Sequence, residues 1–404
     1  MKVIPPRVRK QIDQWRERIA DELSQDSTGG VSIGNDVEVY FDGDRAFRAM
    51  IGAIAEAQEQ VHLEMYMFLS DQTGRLFADA LIKKAKEGIQ VRVIYDAIGS
   101  ADASDMMWGD MRAAGVQVEE YRPVSLWRKH GLWLWRGSLL GRNHRKTLVV
   151  DSTTAFTGGM NLGDPWSRNA TGEKAWRDTQ ICVSGPAAAH LDELFVDSWK
   201  YCTGETVPLL TPHREPNQQQ DRGCKCLVVG SRGIGGRKTI RSLFSVHLER
   251  AQKSVNMTMP YFVPPKRLRA SMHSASKRGV DVSVLVPRDS DVRIVDWLRE
   301  GLYPQLLKWK VNVIEYLGPT LHAKTMVVDD EISIVGSNNF DILSVLLNRE
   351  AALVVFDPET SEELSQQWQN DLALAHPVVS GWEGFRPWWR LLLARVGCWL
   401  LRSL

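Results

Sequence analysis

A histidine and a lysine two residues apart open the stretch NHRKTLVVDSTTAFTGGMN, Asn143 to Asn161, and the same pair recurs in LHAKTMVVDDEISIVGSNNFD, Leu321 to Asp341. On a strand, residues i and i+2 share a face, so His144 and Lys146 point one way, as do His322 and Lys324. Each pair leads into an apolar run, Leu148 to Val150 or Met326 to Val328, and then a turn at Asp151 or Asp329. A second apolar stretch ends in a small-residue corner, Gly158-Gly159-Met160-Asn161 or Gly336-Ser337-Asn338-Asn339. Folded as a tight hairpin, each segment returns its asparagine, Asn161 or Asn339, beside its histidine. The corner at Gly159 or Ser337 lets a ligand approach the backbone.

An imidazole, an ammonium and an amide suit an anion that gains charge in its transition state, above all a phosphoryl group. One half supplies one histidine, and two packed halves supply two, facing each other across one phosphorus. A neutral imidazole can attack in line and form a phosphohistidine, while a protonated one gives its proton to the leaving alkoxide. Histidine serves both roles because its pKa of about 6.5 makes both states accessible. Lys146 and Lys324 would hold the non-bridging oxygens, an arrangement that calls for no metal and no other cofactor. Asp178 and Glu350 each open the strand after the hairpin, where either can accept an imidazole N–H and fix its tautomer.

The elements that must position these groups are themselves duplicated. VHLEMYMF (Val61 to Phe68) resembles VNMTMPYF (Val255 to Phe262), KEGIQVRVIYD (Lys86 to Asp96) resembles KRGVDVSVLVP (Lys277 to Pro287), and DTQICVSGP (Asp178 to Pro186) resembles EAALVVFDP (Glu350 to Pro358). Alternating helical and strand patterns predict an α/β fold of two similar lobes, each a mixed sheet flanked by helices, related by pseudo-twofold symmetry. The expected divisions are an amphipathic helix within 1–30, a first lobe over 31–205, a Pro- and Gln-rich linker over 206–222, a second lobe over 223–376 and a terminal segment over 377–404.

A net charge of +1 over 404 residues gives no general pull toward nucleic acid. Five sparse cysteines argue against a disulfide framework and fit a reducing compartment; Cys224 and Cys226 form a lone C-x-C that reads as structural thiols. No signal peptide is expected, and no apolar run reaches the ~20 residues needed to span a bilayer. Two segments do point to lipid. The insert 122–143 breaks the duplication with Arg122, Arg128, Lys129, Arg136 and Arg142, no acid, and Trp127, Trp133 and Trp135 among leucines. The tail carries Trp382, Trp388, Trp389 and Trp399 with Arg386, Arg390, Arg395 and Arg402. Tryptophan and arginine suit a headgroup layer, and the interleaved leucines favour lipid over single-stranded nucleic acid.

The doubled pattern H-x-K-x4-D-x6-G-[GS]-x-N resembles the signature of the phospholipase D superfamily. Leu63 to Ser100 and FTGGMNLGD, Phe156 to Asp164, are similar to bacterial cardiolipin synthases, in the shorter form without N-terminal transmembrane helices. The resemblance implies metal-independent catalysis by His144, Lys146, Asp151, His322, Lys324 and Asp329, with His144 as nucleophile and His322 as acid and base. It implies phosphate binding by Asn161 and Asn339, and an orienting role for Glu350; Asp178 stands where the family has glutamate. The implied reaction is transfer of a phosphatidyl group to a hydroxyl of phosphatidylglycerol, with phosphatidylethanolamine as another candidate lipid and a peripheral site on the cytoplasmic side of the inner membrane. A lipid-hydrolysing phospholipase D, a nuclease and a non-catalytic membrane scaffold are the competing readings; no nucleic-acid partner is expected.

Overall fold

The structure, a computed structural model, describes residues 30–124, 141–210, 223–231, 237–340, 347–382 and 386–402. The expected helix within 1–30, most of the linker and the insert's Trp127, Arg128, Lys129, Trp133, Trp135 and Arg136 lie outside them.

In the first half, strands β1 (Val31–Tyr40), β2 (Gln60–Met65), β3 (Gln90–Asp96) and β4 (Gln117–Tyr121) alternate with helices α1 (Gly43–Glu56), α2 (Gln72–Lys86) and α3 (Asp105–Ala113). The hairpin β5 (Lys146–Val150) and β6 (Thr154–Gly158), strand β7 (Gln180–Ser184) and helix α4 (Pro186–Thr203) follow. The second half repeats the order with β8 (Cys224–Gly230), α5 (Arg237–Arg250), β9 (Ser254–Thr258), α6 (Lys266–Lys277), β10 (Asp281–Pro287), α7 (Arg293–Lys308) and β11 (Asn312–Tyr316). It continues through β12 (Thr325–Val328), β13 (Ile332–Gly336), β14 (Ala351–Phe356) and α8 (Pro358–Leu372), and adds β15 (Ala375–Pro377) and α9 (Trp388–Arg402).

Local chemistry explains the elements. Asp42, Asp71 and Asp357 cap the first turns of α1, α2 and α8 by accepting from Arg45, Gly74 and Thr360 N–H groups. α1 buries Ala46, Phe47, Met50 and Ile54, one helical stripe, on the sheet. The inner strands are buried on both faces, which is why β14 reads as an apolar run without alternation, while the alternating polar residues of β2, His62 and Glu64, are buried beside Asp192 and Arg145.

Strand order is β15-β11-β10-β9-β12-β13-β14-β8-β1-β7-β6-β5-β2-β3-β4. Outward from the β8–β1 pair, both halves run first strand, last strand, hairpin, second, third and fourth strand, which is the expected pseudo-twofold. The two lobes share one sheet: the start of β1 pairs with β8, and its end pairs with β7. A central core draws on both halves, with Val149, Ile181 and Leu191 beside Val327, Leu353 and Leu364.

The tail residues expected at a headgroup layer divide between protein and surface. Trp382 is a core residue, 7% exposed, packed edge-on against Tyr303 at 5.1 Å. Arg386 and Arg390 do not reach for headgroups either; they pair with Glu300, Glu315 and Asp289. The tail helix α9 therefore docks on the protein by one face.

Candidate active site

β5 and β12 each begin just after their histidine, and the two chains entering these strands are stitched to the opposite half. Asn143 forms a parallel bridge with Arg349, and Leu321 forms one with Arg177. His144 N–H donates to the Arg349 carbonyl at 2.9 Å, and His322 N–H to the Arg177 carbonyl at 2.8 Å. The residues following Arg349 and Arg177 are Glu350 and Asp178. Each histidine thus meets the acid of the other half: His144 Nδ1 lies 3.1 Å from Glu350 Oε2, and His322 Nδ1 lies 2.6 Å from Asp178 Oδ2.

With Nδ1 donating to a carboxylate, Nε2 of each ring carries the reactive lone pair or proton. His144 Nδ1 also lies 3.1 Å from the Ser337 carbonyl, which supports the same tautomer. Each acid has a second donor: Ser337 Oγ reaches Glu350 Oε2 at 2.5 Å, and Trp166 Nε1 reaches Asp178 Oδ2 at 2.9 Å. Lys146 Nζ donates to the His144 carbonyl at 2.7 Å, and Lys324 donates to the His322 carbonyl.

The electrostatics join the two halves into one site. Burial lowers the pKa of His144 against the pull of Glu350, and both Lys146 and Lys324 push it further down. Burial and the neighbouring Lys324 lower His322 to about 4, although Asp178 opposes them. Lys146 charge also acts on His322, and Lys146 is itself held well below the usual lysine range by burial and by Lys324. Burial alone would raise the two acids; His322 and Lys324 hold Asp178 down, and His144, Ser337 and Lys146 hold Glu350 down. Both shifts favour neutral imidazoles while no anion is bound. An anion placed among the lysines offsets their charge and lets one imidazole take a proton.

Two sequence expectations need correction. Asp151 and Asp329 do not join this cluster. They sit at the far ends of the hairpins, seven residues and about 23 Å along an extended chain from the histidines at ~3.3 Å per residue. Asp151 accepts from Gln58, Glu59 and Gln60 N–H at 2.8, 2.9 and 2.8 Å. Asp329 accepts from Gln252, Lys253 and Ser254 N–H at 2.9, 2.7 and 3.0 Å. Both adopt positive φ, 51° and 55°, which aspartate tolerates in tight turns. The hairpins centre on Ser152 and Asp330, because Val150 pairs with Thr154 and Val328 with Ile332.

The remaining expected residues divide. Asn161 and Asn339 are buried; Asn161 Oδ1 accepts from Met67 N–H at 3.1 Å, while Asn339 Oδ1 has no partner among the described residues. Gly159 is obligatory, since an added Cβ would lie 2.0 Å from Asp178 Oδ1. From the insert, Arg142 is committed to a buried ion pair with Asp96 at 2.9 Å.

Sequence reasoning missed several neighbours. Tyr66 packs edge-on against His144 at 4.8 Å, with Lys146 Nζ 5.0 Å from its ring centre. Trp166, Trp176 and Tyr261 surround His322 at 5.7, 5.4 and 6.3 Å. Arg177 pairs with Asp371 at 2.7 Å, and Arg349 with Asp197 at 2.5 Å, so the arginine before each acid is clamped by a helix of the opposite half. The repeat of Arg-Asp and Arg-Glu at matching offsets was the available signal.

Two similar lobes that bring a His-x-Lys strand each to one buried, cation-lined site define a phosphoryl-transfer enzyme of the two-lobed, phospholipase D-like class. A family model described as "Cardiolipin synthase, PLD-like domain" matches residues 50–199 and 245–372. The cardiolipin synthase of Geobacillus sp. (strain WCH70) is 32% identical over 86% of this chain and 68% of its own. Cardiolipin synthase A of Pseudomonas fluorescens (strain SBW25) is 35% identical over 85% and 70%. The crystal structure of phosphatidylserine synthase from Haemophilus influenzae Rd KW20 covers 95% of this chain and 98% of its own, with a TM-score of 0.69 at 15% identity, a likeness of fold. The chain belongs to the cardiolipin synthase family of the phospholipase D superfamily.

Proposed function

We propose that this phosphatidyltransferase makes cardiolipin in two displacements at one phosphorus. His144 Nε2 attacks the phosphodiester of a phosphatidylglycerol; the P–N bond forms, the P–O bond to glycerol breaks, and His322 Nε2 gives its proton to the departing alkoxide. A hydroxyl of a second phosphatidylglycerol then loses its proton to His322 and attacks phosphorus. The P–N bond breaks, leaving His144 neutral and His322 protonated for the next turnover. Lys146 and Lys324 stabilise the charge on the non-bridging oxygens. Burial of the site favours a lipid hydroxyl over water.

The observation that carries this reading is the reciprocal pairing of each imidazole with the other half's carboxylate. It supports a proton on Nδ1 of each ring, with the two Nε2 atoms left for one substrate, and the 3.0 Å approach of Lys324 Nζ to His322 Nδ1 is a contact that competes with it. The enzyme acts as a peripheral protein at the bilayer surface that holds its substrates, on the cytoplasmic side of the inner membrane; among the described residues no helix is long and apolar enough to cross it.

The test uses phosphatidylglycerol labelled in its phosphorus. Acid-labile, base-stable label should appear on His144 of the wild-type chain, and vesicles should yield cardiolipin and glycerol in equal amounts. Label on His322 would reverse the roles. Phosphatidic acid as main product would make the enzyme a hydrolase.

A further inference from the structure

Helix α9 has two faces of opposite character. Arg390, Leu391 and Ala394 face the protein, where Arg390 Nε bonds Glu300 Oε2 at 3.0 Å and Leu391 packs on the second-half core. Trp388, Trp389, Leu392, Leu393 and Val396 lie on the other side, at positions that share one helical stripe. They are 36–76% exposed, a contiguous row of large apolar side chains that none of the described residues covers. Ile294, 58% exposed, extends the row: it stands one turn before Trp297, whose ring meets Trp389 at 6.5 Å.

Docking is too firm for a passive tail. Glu300 is fully buried and Glu315 nearly so, and Arg386 bonds both, at 2.8 Å to Glu300 and 2.6 Å to Glu315. Removing these arginines would strand two buried carboxylates, so the helix is held in one orientation with its apolar row outward. The helix is about 22 Å long at ~1.5 Å per residue, short of the ~30 Å hydrocarbon layer, so it suits lying in the interface and not crossing it. Residues 386–402 contain no acid, and besides the latched Arg386 and Arg390 they carry Arg395 and Arg402, a composition that suits an anionic surface. A continuous path also joins the helix to the site. Arg390 bonds Asp289 at 3.1 Å, Asp291 in the same loop accepts from the Tyr261 hydroxyl at 2.7 Å, and the Tyr261 ring faces His322.

We infer that α9 lies flat on an anionic phospholipid bilayer through Trp388, Trp389, Leu392, Leu393 and Val396, and that the Arg386/Arg390 latch thereby holds the His322 side of the active site at the membrane. This rests on the reading that the substrate is a bilayer phospholipid.

The experiment compares the full chain with its Leu392→Glu/Leu393→Glu variant, both positions being exposed, after circular dichroism and thermal unfolding have shown equal folding. Partition onto phosphatidylglycerol vesicles is measured by flotation, with phosphatidylcholine vesicles alongside. Turnover is measured on those vesicles and on dihexanoyl-phosphatidylglycerol below its micelle concentration. The variant should lose about tenfold or more in vesicle partition and vesicle turnover, with turnover of the dispersed lipid unchanged. Unchanged partition would overturn the inference, as would an equal loss on dispersed lipid. Unchanged partition with a dimer-to-monomer shift in gel filtration would make this face a contact between copies. If neither chain turns over either lipid while the variant alone fails to float, the membrane face stands and the proposed reaction fails.

Discussion

Gly159 and Ser337 occupy equivalent corners, and the difference between them matches the difference between Asp178 and Glu350. The short Asp178 carboxylate fills the space that a side chain at 159 would need. Its second bond comes from the Trp166 indole. The longer Glu350 reaches from further back and is steadied by the Ser337 hydroxyl that the other corner cannot hold. Gly–Asp and Ser–Glu are therefore two solutions to the same task, aiming a carboxylate at a histidine. Gly159→Ser should displace Asp178 and lower kcat by about a hundredfold or more, whereas Ser337→Gly, which only removes one donor, should cost roughly tenfold. Steady-state kinetics on vesicles separates them; equal effects would mean the corners do not discriminate between the acids. Asp178→Asn and Glu350→Gln should each lower kcat by about a hundredfold or more with KM nearly unchanged, because a wrong tautomer affects chemistry and not binding.

Strand direction explains why the hairpin aspartates were misassigned. A pattern written along a line places histidine, lysine and aspartate together, but β5 and β12 carry them to opposite ends. Asp151 and Asp329 work as turn residues that hold the start of β2 and β9 against the hairpin by three N–H bonds each. Asp151→Ala should cost about 2–3 kcal/mol in urea unfolding, the scale of lost charged hydrogen bonds, and leave kcat within about twofold in the folded fraction. A selective collapse of kcat at full stability would return Asp151 to the chemistry. The duplicated order of helices and strands was legible because periodicity is local. The pairings of His144 with Glu350 and His322 with Asp178 were not, since they join residues 206 and 144 positions apart and depend on how the halves are packed. Sequence named the acids and their task without saying which histidine each serves. Trp166 was invisible for the same reason, and the Arg177–Asp371 and Arg349–Asp197 clamps showed only as an arginine repeated before each acid.

At the scale of the whole molecule, neither half holds a complete site: each lacks the acid for its own histidine and the helix that clamps its own acid. Arg145 binds the halves further, donating to Leu194 and Ser231 carbonyls at 2.7 Å each while facing Glu64 at 3.4 Å, all fully buried. The equivalent residue in the second half is Ala323, so this post exists once. Such burial of polar groups makes the fold depend on pH. His322 in the site and His247 in α5, whose Nδ1 lies 2.6 Å from the Leu243 carbonyl, are both lowered by burial from 6.5 to about 4. A histidine whose folded pKa is depressed binds more protons unfolded than folded between those two values. Stability is therefore full above about pH 6.5 and is lost as pH falls toward about 4, by roughly 2 kcal/mol per histidine between pH 7 and pH 5. His247 lies outside the catalytic cluster, so His247→Gln isolates the effect from catalysis. Urea unfolding of the full chain at pH 7 and pH 5 should show the wild type losing more stability than the variant by about that amount. Equal losses would mean that His247 is already protonated in the folded chain, and that burial does not set its charge.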